Sequence, residues 1–122
     1  RDDVESRGLG DVYKRQFFDR TWNTLIDLYS YGHDIETSWL IDRGTEVLGD
    51  PAYREKLLPI TGEIAENIYN TAYKNHSLMN ECERGVDDTT RVWWVQAEAV
   101  VGFLNAWQKK PDFIFYGVYS KD

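Results

Sequence analysis

Apolar residues recur at three- and four-residue steps in two long stretches of the chain, and both read as helices. In the first, Leu57, Ile60, Ile64, Ile68 and Tyr69 mark one face of a segment over residues 51–74. Asp50 and Pro51 open it, an N-cap side chain followed by a proline at the first helical position, where no N–H is needed. Gly62 weakens this helix slightly. The second stretch, residues 92–108, reads VWWVQAEAVVGFLNAWQ and is apolar on almost every side. Thr89 or Thr90 can cap its start, and Pro111 ends it. A helix apolar all round is expected to be buried between neighbours. Three helices do not wrap it, so the pattern implies packing partners outside this chain.

A further helix fits residues 33–48. Asp34 lies near its start, where a carboxylate favours the positive end of the helix dipole. Gly49 stands just past its last apolar residue, as a helix stop. Upstream, residues 17–32 mix aromatic and polar side chains, which suits a short strand or an extended approach to a turn at Gly32. Residues 75–91, NHSLMNECERGVDDTTR, are polar and turn-rich, with room for short strands around Leu78 and Met79. The predicted order is helix, helix, loop, helix, an all-α arrangement with a short loop or hairpin and no internal repeat. The tail over residues 109–122 is aromatic and fits no single element.

Residues 1–16 break the pattern. They show no apolar period, and Arg1, Arg7, Lys14 and Arg15 cancel Asp2, Asp3, Glu5 and Asp11. The string resembles translated sequencing-adapter DNA found at the ends of unrelated proteins. It is set aside as a non-native or disordered leader, and residues 17–122 are taken as the folded part.

Composition then narrows the function. A length of 122 residues allows one domain at most. The net charge of -7 argues against nucleic acid or an anionic membrane as partner. No apolar run is long enough to span a bilayer, and no secretory signal pattern is present. Cys82 is the single cysteine, so no internal disulfide forms, which fits a reducing, cytoplasmic setting. A neutral sugar is compatible with all of this. Five Trp and eight Tyr can fill a core, and they can equally make flat platforms for sugar rings.

Two segments could carry chemistry. In SYGHDIETSWL, His33, Glu36 and Trp39 follow at three-residue steps, so on a helix they share a stripe. Histidine takes and gives protons near neutral pH. A carboxylate beside it can orient the imidazole or hold a hydroxyl, and the indole can hold a ring. The same residues also suit an ordinary helix start. In RVWWVQAEAVVGFLNAW, Glu98 lies in an apolar helix four residues after Trp94. A carboxylate there is paired, neutralised or faces a wet cavity; Arg91 is one available ion-pair partner.

The two segments together resemble the cellobiose 2-epimerases of the N-acylglucosamine 2-epimerase superfamily. The matching motifs are Gly32-His33-Asp34-Ile35-Glu36 and Trp93-Trp94-Val95-Gln96-Ala97-Glu98, in that order. The resemblance spans about residues 20–108. It implies part of an (α/α)6 barrel, from the middle to the C-terminal half of a longer enzyme. It also implies epimerisation at C2 of the reducing-end glucose of β-1,4-disaccharides such as cellobiose and lactose, without metal or nucleotide cofactor. His33 takes the place of one of two acid/base histidines, while Glu36, Trp39, Trp94 and Glu98 take substrate-binding positions. The family's second histidine belongs to a later motif that this chain lacks, and His76 matches neither; it reads as a surface residue. An N-acylglucosamine 2-epimerase, an aldose–ketose isomerase of the same superfamily, and a non-catalytic carbohydrate-binding barrel remain alternatives. The oligomeric state is open.

Overall fold

Ser30 sets where the first helix begins. Its backbone is extended, and its hydroxyl oxygen accepts from the His33 N–H at 3.4 Å. Helix α1 therefore runs Tyr31–Leu48, two residues earlier than the sequence pattern predicts. Gly32 is consequently a buried helical residue and makes no turn. At the other end Gly49 takes the left-handed conformation, φ 76°, which a residue with a Cβ enters at a cost. Its N–H donates to the Thr45 carbonyl at 3.0 Å and closes the helix. The computed structural model describes residues 18–111. The leader over residues 1–16 and the tail from residue 112 onward lie outside the described residues.

Helix α2 spans Pro51–Ala72, with the Asp50 carboxylate accepting from the Ala52 N–H at 3.0 Å as the N-cap pattern requires. Pro59 lies inside this helix and is exposed, so the backbone gives up one hydrogen bond there without burying an orphan carbonyl. The helix stops short of residue 74 because Tyr73–Lys74 become strand β2, paired antiparallel with β3, Ser77–Leu78. Asn75 and His76 form the turn, with φ 55° and 63°, the two positive values a tight hairpin turn needs.

A second hairpin follows. Strand β4, Glu81–Glu83, turns at Arg84 and Gly85 into β5, Val86–Asp88. On its other side β4 pairs with β1, Leu28–Ser30, giving a three-stranded antiparallel sheet in the order β1-β4-β5. Helix α3 is Trp93–Lys109. Neither Thr89 nor Thr90 caps it: the cap position is Val92, with no side-chain bond, and the Thr90 N–H donates to Asp88 Oδ1 at 3.0 Å. The aspartate takes that donor before the helix starts. Pro111 follows the last turn, as expected.

The core joins all three helices and the first hairpin through Ile35, Ile68, Leu78, Val95 and Phe103, each no more than 1% exposed. Phe103 of α3 meets Tyr69 and Tyr73 edge-on, at centroid distances of 5.8 and 5.9 Å. A polar tie runs through this apolar mass. Asp42 of α1 is buried and accepts from Thr61 Oγ1 of α2 at 2.6 Å and Asn105 Nδ2 of α3 at 2.7 Å. Val95, Ala99, Phe103 and Ala106 make the buried face of α3. Its other face is open, with Trp93 80% and Val100 57% exposed. Burial of α3 on every side is thus not achieved by the described residues, in line with the partners the pattern implies. Among them no helix is long and apolar enough to cross a membrane.

Candidate functional site

Helices α1 and α3 lie side by side and run in the same direction. Gly32 meets Trp94 and Val95 near both N-termini, and further along Asp42 meets Asn105. The approach is close. A Cβ on Gly32 would lie 2.7 Å from Trp94 Cη2 and 2.9 Å from Val95 Cγ2. One on Gly102 of α3 would lie 2.9 Å from Ile35 Cδ1. The absence of a side chain on each helix is what allows this spacing.

Four of the five expected site residues pair up across this seam. His33, exposed in the first turn of α1, lies against the Trp94 ring with centroids 5.1 Å apart and planes inclined at 39°. Two turns along α1, Trp39 Nε1 donates to Glu98 Oε1 of α3 at 2.7 Å, the short length of a bond to a carboxylate. Glu36 stands between these two pairs on the α1 stripe. It is half-buried and has no hydrogen-bonding partner among the described residues, so both its oxygens are available. The arrangement is an imidazole, a carboxylate and two indoles along one helix–helix seam. It can hold a ring against an indole face, bind hydroxyls and exchange a proton.

Arg91 is not the partner of Glu98. Its guanidinium donates to Ser77 Oγ at 2.7 Å, to the Lys74 carbonyl at 3.0 Å and to the Thr89 carbonyl, bracing the first hairpin. His76 is exposed in the turn of that hairpin.

Two supporting residues escape a sequence reading. Gln96 Oε1 accepts from the Leu78 N–H at 2.8 Å, and Gln96 Nε2 donates to the Leu78 carbonyl at 2.8 Å. The side-chain amide thus stands in for a neighbouring strand and fastens β3 to α3 between Trp94 and Glu98. A side-chain amide in the apolar first half of the helix was the available signal. Tyr31 precedes Gly32 and His33, is 2% exposed, and donates from its hydroxyl to Asp87 Oδ1 at 2.9 Å. Burial, and then the Asp87 carboxylate, push the phenol well above its ordinary range. The bond holds the second hairpin at the start of α1. In the same hairpin, hydrogen bonds from Asn80 and Thr90 lower the Asp88 carboxyl to about 2.

No family model matches the chain. Individual relatives do. It is 48% identical over 94 residues to a protein of Eubacterium cellulosolvens named cellobiose 2-epimerase, which covers 77% of this chain and 23% of that one. A Ruminococcus albus protein of the same name is 48% identical over 96 residues, 79% of this chain and 25% of its own length. The chain therefore spans about a quarter of the length of the curated relatives it matches. Among solved structures, a sugar epimerase from a ruminal bacterium superposes with a TM-score of 0.81 at 40% identity, over 90% of this chain and 30% of that one. The cellobiose 2-epimerase of Bacillus thermoamylovorans superposes with a TM-score of 0.71 at 42% identity, over 91% and 30%. Helices α1, α2 and α3 are accordingly part of an (α/α)6 barrel. On these matches of sequence and fold, the chain corresponds to one part of proteins named cellobiose 2-epimerase.

Proposed function

We propose that this chain is the part of a sugar 2-epimerase that supplies one acid/base histidine and a wall of the sugar pocket. The substrate is a β-1,4-disaccharide such as cellobiose or lactose, and the reaction inverts C2 of its reducing-end glucose. The observation that carries the reading is the seam itself. His33 lies on Trp94 and Trp39 is bonded to Glu98, in a chain 48% identical to proteins named for this activity.

The chemistry follows from the groups. Ring opening exposes an aldehyde at C1. A base removes the C2 hydrogen as a proton, the electron pair of that C–H bond becomes the C1=C2 bond, and the carbonyl π pair moves onto oxygen, leaving an enediolate. A proton delivered to the opposite face of C2 restores the aldehyde with inverted configuration, and the ring closes. Atoms and electrons balance without an oxidant. Inversion needs two proton carriers on opposite faces, because one base returning its own proton restores the starting sugar. His33 is one carrier. Glu36, with both oxygens available, holds hydroxyls or assists ring opening. Trp39 and Trp94 offer their faces to the sugar rings.

The test is His33→Asn in the complete enzyme carrying this segment, assayed for the mannose-ended disaccharide. Asparagine keeps some hydrogen bonding but moves no proton at neutral pH, so epimerisation should fall by about 10²–10⁴-fold or more in a folded protein. If His33 only begins a helix, activity survives, and near-normal inversion removes the central residue of the reading.

A further inference from the structure

The bond between Trp39 and Glu98 says which part of the indole remains for a ligand. Tryptophan has a single hydrogen-bond donor and no acceptor. Trp39 commits that donor to Glu98 Oε1 at 2.7 Å. The indole edge is therefore closed to sugar hydroxyls, and only the ring surface is left. Glu98 has no cationic partner among the described residues, since Arg91 is engaged with the hairpin. Its bond to Trp39 is the one that accounts for a carboxylate in an apolar helix. The two residues sit on different helices and both are half-buried. The bond thus fixes the ring plane relative to α3, where a second indole, Trp94, lies one turn before Glu98.

We propose that Glu98 is a positioning residue: it holds the plane of Trp39, and the Trp39–Glu98 pair sets the affinity for the sugar ring stacked on that indole. The inference rests on the pocket assignment above and makes it more specific. Glutamine at position 98 still offers an amide oxygen to the indole N–H, whereas alanine offers nothing. A residue that works by charge or proton transfer is damaged equally by both changes. A residue that works by orienting the indole is rescued by glutamine.

The experiment compares Glu98→Ala, Glu98→Gln, Trp39→Phe and the double variant Trp39→Phe/Glu98→Ala in the complete enzyme, with cellobiose as substrate. Losing the orienting bond should raise KM about tenfold in Glu98→Ala and leave kcat within about threefold. Glu98→Gln should keep KM within about threefold of the unmodified enzyme. The double variant should be no worse than Trp39→Phe alone, because the pair acts as a unit. In protein labelled with 15N-tryptophan, the Trp39 indole N–H resonance should shift in Glu98→Ala and hold its place in Glu98→Gln. That resonance is read without substrate, so the pairing and the epimerase assignment fail separately. A kcat collapse shared by Glu98→Gln and Glu98→Ala overturns the proposal. So does an indole resonance that Glu98→Ala leaves unmoved. If Glu98→Ala does not fold, Trp39→Phe is read by KM and kcat and Glu98→Gln by these and the indole resonance. A raised KM with kcat kept in Trp39→Phe and near-normal values in Glu98→Gln then support the proposal, and a kcat collapse in Glu98→Gln overturns it.

Discussion

At the scale of single residues, the stripe His33, Glu36 and Trp39 was legible because helical spacing is a property of the local sequence. Its opposite wall, Trp94 and Glu98, was legible by the same rule. What could not be read locally is where the two stripes meet. Gly32 looks like a turn residue in the sequence, yet it is buried in α1 because the Trp94 ring occupies the space of its missing side chain. Tyr31 is a similar case, since its bond to Asp87 joins residues 56 positions apart. Its raised pKa makes a prediction whose sign can be worked out. The phenol is neutral when protonated, and the folded state holds that proton more tightly than the ordinary value of 10.0. Below that pH both states are protonated and the contribution of Tyr31 is complete. Above it the unfolded chain ionises first, so stability is lost as pH rises through this range. In the complete protein, the drop in urea midpoint between about pH 8 and about pH 11 should be smaller for Tyr31→Phe, which has no proton to lose. An equal drop in both proteins would place the phenol in ordinary solvent.

At the scale of elements, helix ends were legible where their signal is local, as with Asp50 and Pro51 at the start of α2, and were missed where a partner decides, as with strand β2 cutting α2 short of residue 74. Gly49 and Pro111 act where they stand, whereas the start of α1 depended on Ser30 and the start of α3 on Asp88 having already taken the Thr90 N–H. The hairpins were only partly visible. Short strands of two or three residues carry too few side chains for a period of two to emerge, and β4 is held partly by β1, some fifty residues upstream. The bond network around Gln96 explains how so short a strand as β3 keeps its place. Replacing Gln96 by leucine preserves the helix and its bulk but strips the Leu78 N–H and carbonyl of their partners. Unmade backbone bonds in a part-buried setting cost about 1–3 kcal/mol. Urea unfolding of Gln96→Leu in the complete protein should show a loss of that size, and hydrogen exchange at the Leu78 amide should quicken. A loss confined to exchange at the helix ends would mean that β3 is held by something else.

At the scale of the whole molecule, the apolar character of α3 is the feature with the widest consequence. One face packs on α1, α2 and the hairpin through Val95, Ala99, Phe103 and Ala106. The other presents Trp93, Val100, Val101 and Leu104, of which Leu104 is the least exposed at 37%. An open apolar face on a helix is covered in a complete protein, by its own chain or by another. The chain spans about a quarter of its curated relatives' length, and the solved epimerases extend well beyond the region it matches. The 122 residues alone should therefore associate. Sedimentation should show mass rising with concentration, and thermal unfolding should be broad. Replacing Val100 and Leu104 by glutamate should lower the association. The same isolation bears on the proposed chemistry. Of the two histidines in the sequence, His33 lies in the seam and His76 at an exposed hairpin turn. Only one histidine lies in the seam, and the mechanism proposed above needs two proton carriers. Incubation of the isolated chain with cellobiose or lactose should yield no mannose-ended product. In deuterated water a single carrier on one face could at most exchange the C2 hydrogen and return the starting epimer. Turnover to the epimer above a protein-free control would show that the second proton comes from within these residues, and the two-histidine reading would have to be replaced.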